Sequence, residues 1–172
     1  MIRRLISITF LLALPLVSVF AQQKPDFSGT WKLNVAKSDF GVLGGPTSRT
    51  DVITHKDPSL SDSVTVEGAE GKQEFTTSYT TDGKDAVNKI GPREVKSTLK
   101  WAGSNLVISS KFVYNDMDVT GEATWALSPD GKMLTINAHY NSPMGEADQK
   151  FVYDKQEDAV VPTPAKPADS KQ

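Results

Sequence analysis

Apolar and polar positions alternate through most of this chain, in runs of about five to ten residues separated by turn-forming clusters. Val95, Ser97, Leu99 and Trp101 oppose Lys96, Thr98 and Lys100. Leu106, Ile108, Ser110, Phe112 and Tyr114 form the next apolar phase, with Ser109, Lys111 and Asn115 among their alternates. Val119, Gly121, Ala123, Trp125 and Leu127 follow, then Leu134, Ile136, Ala138 and Tyr140, then Ala147, Gln149, Phe151 and Tyr153. Phe75, Thr77 and Tyr79 show the same period earlier, against Glu74, Thr76 and Ser78. Side chains along a strand point alternately to opposite faces, so each run predicts a strand with one buried face.

Turn signals punctuate the runs at Glu67–Gly71, Asp82-Gly83, Gly91-Pro92, Ala102–Asn105, Asn115–Met117, Ser128-Pro129-Asp130-Gly131 and Ser142–Gly145. In the proline-containing turn, proline presets φ, aspartate bonds the local backbone and glycine accepts a positive φ. Two short strands are expected earlier, Val52 to His55 and Val64 to Glu67, on either side of Asp57-Pro58-Ser59. The first strand carries Trp31, Leu33 and Val35 on its buried side. After it, Gly41 to Ser48 holds three glycines and a proline and excludes a regular helix, leaving a lid or a linker. No segment beyond the first twenty residues has a helical period. The expectation is an all-β, up-and-down antiparallel barrel of 8–10 strands, in which closure removes exposed sheet edges. An open two-sheet sandwich is the alternative.

The ends of the chain read differently. Arg3 and Arg4 precede an apolar stretch from Leu5 to Phe20, and Val19 and Ala21 offer a small-residue cleavage site, so residues 1–21 are expected to be a signal peptide. A transmembrane anchor needs about 20 apolar residues, more than this run supplies. Residues 22–158 form the expected barrel domain. Residues 159–172, rich in proline, alanine and charge without periodicity, form an expected disordered tail. The expected location is secreted or periplasmic, with no stable membrane insertion once the leader is removed.

Charge and composition narrow the function classes. The formal charge of −2 becomes −4 when the two leader arginines are removed. A weakly acidic chain with no basic run argues against nucleic acid as a partner. Zero cysteine excludes disulfides, thiol catalysis and Cys-ligated zinc. His55 and His139, the two histidines, lack a second ligand at metal-binding spacing, and His139 falls on the outer, solvated face. Asp116 and Asp118 flank Met117 at a hairpin, where turn chemistry accounts for Asp116. No Gly-x-Ser-x-Gly elbow frames a serine. No catalytic residue, metal site or cofactor is expected, and the chain is not expected to be an enzyme.

Phe27-Ser28-Gly29-Thr30-Trp31-Lys32-Leu33, followed by Lys37-Ser38-Asp39-Phe40, resembles the opening of the calycins, the lipocalins and fatty-acid-binding proteins. Phe151-Val152-Tyr153-Asp154-Lys155 is similar to the last strand of the fatty-acid-binding branch. The resemblance implies a barrel holding one small hydrophobic ligand, with an exported bacterial lipocalin-like protein as the nearest type. Departures accompany it, among them the lack of a clear match to the lipocalin Thr-Asp-Tyr turn at a later loop. Phe151 stands where the family has an arginine that binds carboxylates, and the glycine-rich loop replaces the family's two capping helices. The resemblance also implies a cation packed on the tryptophan, for which Lys150 and Lys155 are the candidates.

Gly29 and Trp31 are therefore assigned to closing one barrel end; contact between Trp31 and ligand is the alternative. Small inward residues such as Ser110, Gly121, Ala123 and Ala138 leave room among Phe112, Trp125, Ile136, Tyr140, Phe151 and Tyr153, the expected ligand-lining set. The competing expectation is that the small residues fit the barrel taper and the core is solid. The first expectation makes the protein a carrier of a small apolar molecule. The second makes it a filled barrel that acts through its surface as an interaction or inhibitor protein.

Overall fold

The computed structural model describes residues 24–69 and 71–157. The expected leader (1–21) and tail (159–172) lie outside the described residues.

Ten antiparallel strands run in sequence: β1 (Gly29–Leu33), β2 (Ser48–Lys56), β3 (Ser59–Gly68), β4 (Gly71–Thr80), β5 (Asp82–Ile90), β6 (Arg93–Ala102), β7 (Asn105–Tyr114), β8 (Met117–Leu127), β9 (Met133–Ser142) and β10 (Gly145–Gln156). Their spatial order is β4-β3-β2-β1-β10-β9-β8-β7-β6-β5, a meander in which β1 pairs with both β2 and β10. This is the expected all-β barrel, at the upper end of the expected strand number, and not a sandwich.

The barrel is nearly closed. β4 and β5 lie alongside one another, joined by Thr81, but no backbone ladder links them among the described residues. A side chain stands in for the ladder. Asn88 on β5 accepts a hydrogen bond from the Ser78 N–H on β4 (2.8 Å) and donates one to the Ser78 carbonyl (3.2 Å).

The apolar phases of β4 and β6 to β10 face inward as the alternation predicts. Leu99, Leu106 and Leu134 are fully buried, and Val95, Val119, Ile136 and Ala138 are buried with them. Val35 departs from expectation: β1 ends at Leu33, Val35 opens a short 3-10 turn (Val35–Lys37), and 44% of it is exposed. The two early strands are longer than the turn signals suggested, because their polar flanks also pair across the ladder from Ser48↔Glu67 to Lys56↔Ser59.

One barrel end is closed by the chain entering it. Phe27 and Trp31 are both 0% exposed, and the Trp31 indole N–H donates to the Phe27 carbonyl (2.9 Å). The Phe27 ring meets Trp101 (6.0 Å between centroids), Trp125 (6.5 Å) and, edge-on, His55 (6.0 Å). Phe27 also donates its backbone N–H to His55 Nδ1 (3.3 Å), which makes Nδ1 the acceptor and leaves the proton on Nε2. Trp101 caps the cluster by donating to the Asp57 carboxylate (2.8 Å).

Lys155 is the cation expected over the tryptophan, with its Nζ 5.2 Å from the ring centroid. Gly29 lies beneath this side chain. A Cβ there would sit 2.5 Å from Lys155 Cε, and the backbone φ of +137° is one that only glycine adopts without strain. Lys150 instead anchors the loop after β1 by a backbone bridge to Asp39.

Candidate functional site

At the other end the barrel stays open. An interior cavity of about 980 Å³ runs from the mouth to the aromatic plug, within the range of about 300–1,000 Å³ typical of small-molecule sites. Phe112, Trp125, Ile136, Tyr140, Phe151 and Tyr153, the residues expected to line a cavity, all stand on its wall. They are brought there from β7, β8, β9 and β10 by the two-residue period that identified them. Gly121 lets the Tyr140 ring lie close against the wall, 3.0 Å from where a Cβ would be.

The loop after β1 forms part of the mouth. It contains a short 3-10 turn (Gly41–Leu43) and no α-helix, as its composition requires. Gln149 reaches out from β10 and donates to the carbonyls of Phe40 (3.2 Å) and Gly44 (2.9 Å), fixing the loop against the rim. Phe40 folds under the loop onto Phe151 (5.4 Å between centroids), and Gly45 is small because that ring occupies the place of its side chain. At the rim of the cavity Val42, in this loop, is 91% exposed and Met144, in the β9–β10 turn, 81%.

Between the plug and the apolar wall lies a polar layer that the alternation does not predict. β2 turns Arg49, Asp51 and Ile53 inward, while Val52 on the opposite face is half-exposed. β3 contributes Asp62 between Leu60 and Val64. Arg49 Nε donates to Asp51 Oδ1 (2.8 Å), and the guanidinium lies 5.9 Å from the Tyr153 ring centroid. Asp51 is the ladder partner of Trp31, which places this ion pair directly on the plug.

The layer is incompletely satisfied. Asp51 Oδ2, Asp62 Oδ1 and the Tyr153 hydroxyl are buried without a hydrogen bond of ordinary geometry. Burial raises the Asp62 pKa to about 7; the Asp51 charge adds to this and the Arg49 charge opposes it. Burial likewise pushes the phenols of Tyr79, Tyr140 and Tyr153 up, so all three stay neutral. The guanidinium of Arg49 remains charged: burial opposes that charge, and the Asp51 carboxylate that accepts its hydrogen bond outweighs the effect.

Elsewhere the structure places the remaining candidates as follows. His139 is on the outer face and shares a hydrogen bond with Asp148 (2.8 Å), which raises its pKa. His55 belongs to the plug, where burial lowers its pKa. Asp116 has φ +60° in the β7–β8 turn, and Asp118 pairs with Val113 in the ladder. Among the described residues, no helix is long and apolar enough to cross a membrane.

Comparison with known proteins returns solved structures but no match to a family model or to a curated sequence. A secretory abundant heat soluble protein from Ramazzottius varieornatus aligns with TM-score 0.57 and 13% identity, over 78% of this chain and 98% of its own. A point mutant of the fluorescent protein UnaG aligns with TM-score 0.53 and 19% identity, over 77% of this chain and 97% of its own. The zebrafish ileal bile acid-binding protein, complexed with cholic acid, aligns with TM-score 0.52 and 14% identity, over 76% and 98%. The likeness covers the whole barrel at low identity. With its ten-strand meander and its plugged and open ends, the chain has the calycin fold.

Proposed function

We propose that the protein is exported and, in its mature form, binds or carries a small hydrophobic molecule inside the barrel, without catalysing a reaction. The observation that carries this reading is the cavity of about 980 Å³ behind an open mouth. Placing an apolar ligand there removes its surface from water, which contributes roughly 25 cal/mol per Å² before ordering costs. The cholic acid complex of the zebrafish protein supports the reading as an analogy of fold. The space among the small inward residues supports the carrier reading over the filled-core alternative. Export rests on Arg3, Arg4, the Leu5–Phe20 run and the small residues before Gln22.

Two measurements test the reading. Saturable, stoichiometric binding of an apolar fluorophore to the mature chain is expected, with a co-purifying small molecule in native mass spectra of protein from its own host. Absence of both overturns the carrier reading. N-terminal sequencing of the exported protein tests the leader, with Gln22 the expected first residue.

A further inference from the structure

The polar layer differs from a carboxylate-binding site in its charge balance. Arg49 already has its counter-ion in Asp51 at 2.8 Å, and Asp62 adds a second carboxyl group beside that pair. One guanidinium faces two carboxyl groups, so this layer has no surplus positive charge for an anion. An incoming carboxylate there would meet like charge in a medium that screens it poorly. The other inward cation, Arg93, sits at the rim with its guanidinium over Tyr114 (5.3 Å), away from the layer.

Of the two buried carboxylate oxygens without a hydrogen-bond partner among the described residues, Asp51 Oδ2 and Asp62 Oδ1, the second belongs to a residue on the cavity wall and the first does not. Asp62 is 2% exposed, it lines the cavity, and its Oδ1 accepts no hydrogen bond. Buried carboxylate oxygens are almost always paired, and one left without a donor costs the desolvation of the group. Apolar walls lead from the mouth toward this acceptor. Given the carrier reading, on which this step rests, we infer that the cavity selects an amphiphile whose head group donates a hydrogen bond and bears no negative charge, an alcohol or an ammonium, with Asp62 as the acceptor. The tail lies along Phe112, Ile136 and Phe151, and the head group reaches Asp62 beside the Arg49–Asp51 pair.

Displacement of a bound apolar fluorophore by dodecanol, dodecylamine and dodecanoate tests this, in the wild type and in Asp62→Asn, at about pH 8.5, above the Asp62 pKa of about 7, so that its carboxylate is ionised. The wild type is expected to prefer dodecanol or dodecylamine over dodecanoate, and Asp62→Asn to reduce that preference by about tenfold or more, the size expected for a hydrogen bond to a charged acceptor. Comparing the two proteins cancels differences in how the probes partition from water. Which of the two donors leads distinguishes a neutral from a cationic head group. Dodecanoate binding as tightly as the others, or a preference unchanged in Asp62→Asn, overturns the inference. Failure of all three to displace a fluorophore that does bind overturns it while leaving the carrier reading intact; failure of the fluorophore to bind removes both. Should Asp62→Asn not fold, the wild-type order of the three probes decides.

Discussion

The two ends of the barrel use the same kinds of residue to opposite effect. At the plug, Phe27, Trp31, Trp101 and His55 are locked by ring contacts and by hydrogen bonds from each indole N–H. At the mouth, Val42, Leu43 and Met144 are exposed on turns held through backbone carbonyls. Apolar area at the plug is removed from water and stabilises the fold; at the mouth it is left wet and contributes little. Stability and access to the interior are assigned to separate ends. Substitutions should therefore separate the two properties.

The largest effect is expected at the plug. Trp31→Ala removes a fully buried indole and should lower unfolding stability by about 3–5 kcal/mol, measured by urea titration. Equal loss from a mouth substitution would break the comparison.

Next comes the polar layer between the ends. An aspartate whose folded pKa is raised holds its proton more tightly folded than unfolded, so the chain loses stability as pH rises from the unfolded value toward the folded one. Between about pH 4 and pH 7, wild-type stability should fall by up to about 4 kcal/mol relative to Asp62→Asn, in which this dependence is absent. Parallel pH profiles of the two proteins would show that Asp62 is not the titrating group.

Lys155→Ala leaves the plug closed but uncovers one indole face, at a cost of about 0.5–1 kcal/mol. The same variant should leave fluorophore affinity unchanged, since Lys155 is outside the cavity wall. The smallest effect belongs to the mouth: Val42→Ser should change stability by less than about 0.5 kcal/mol. Stopped-flow binding of the fluorophore is where Val42→Ser should register, as an altered association rate. A Val42→Ser variant with wild-type kinetics but reduced stability would reverse the assignment of roles.

How much of this was readable in advance depends on which residues carry the pattern. β6 to β10 put apolar residues inside and polar ones outside, so alternation located Phe112, Trp125, Ile136, Tyr140, Phe151 and Tyr153 on the cavity wall. β2 splits its apolar residues between the two faces, with Val52 and Thr54 outward and Arg49, Asp51 and Ile53 inward. Hydrophobicity alone leaves the face undecided there, and the polar layer stayed hidden for that reason. A usable signal was present in phase: stepping by two from Ile53 reaches Asp51 and Arg49, and stepping from Leu60 to Val64 passes through Asp62. β5 is obscured in the same way, because Val87 is exposed while the inward position is Asn88. Lys155 was one of two lysines compatible with the indole, and only the register of β10 against β1 separates them.

The Asn88 bridge has a consequence for how the wall can move. Because side-chain hydrogen bonds and not a backbone ladder fasten β4 to β5 among the described residues, the wall is a long strip fastened at its margins, not an unbroken hoop. Its girth can change by parting at this seam while the nine interstrand ladders stay intact. Such opening is local and costs less than unfolding, so amide protons flanking Ser78 and Asn88 should exchange with deuterium sooner than those at the centres of β8 and β9. A bulky guest that stretches the wall would hasten that exchange, and one that fits within the resting girth would slow it.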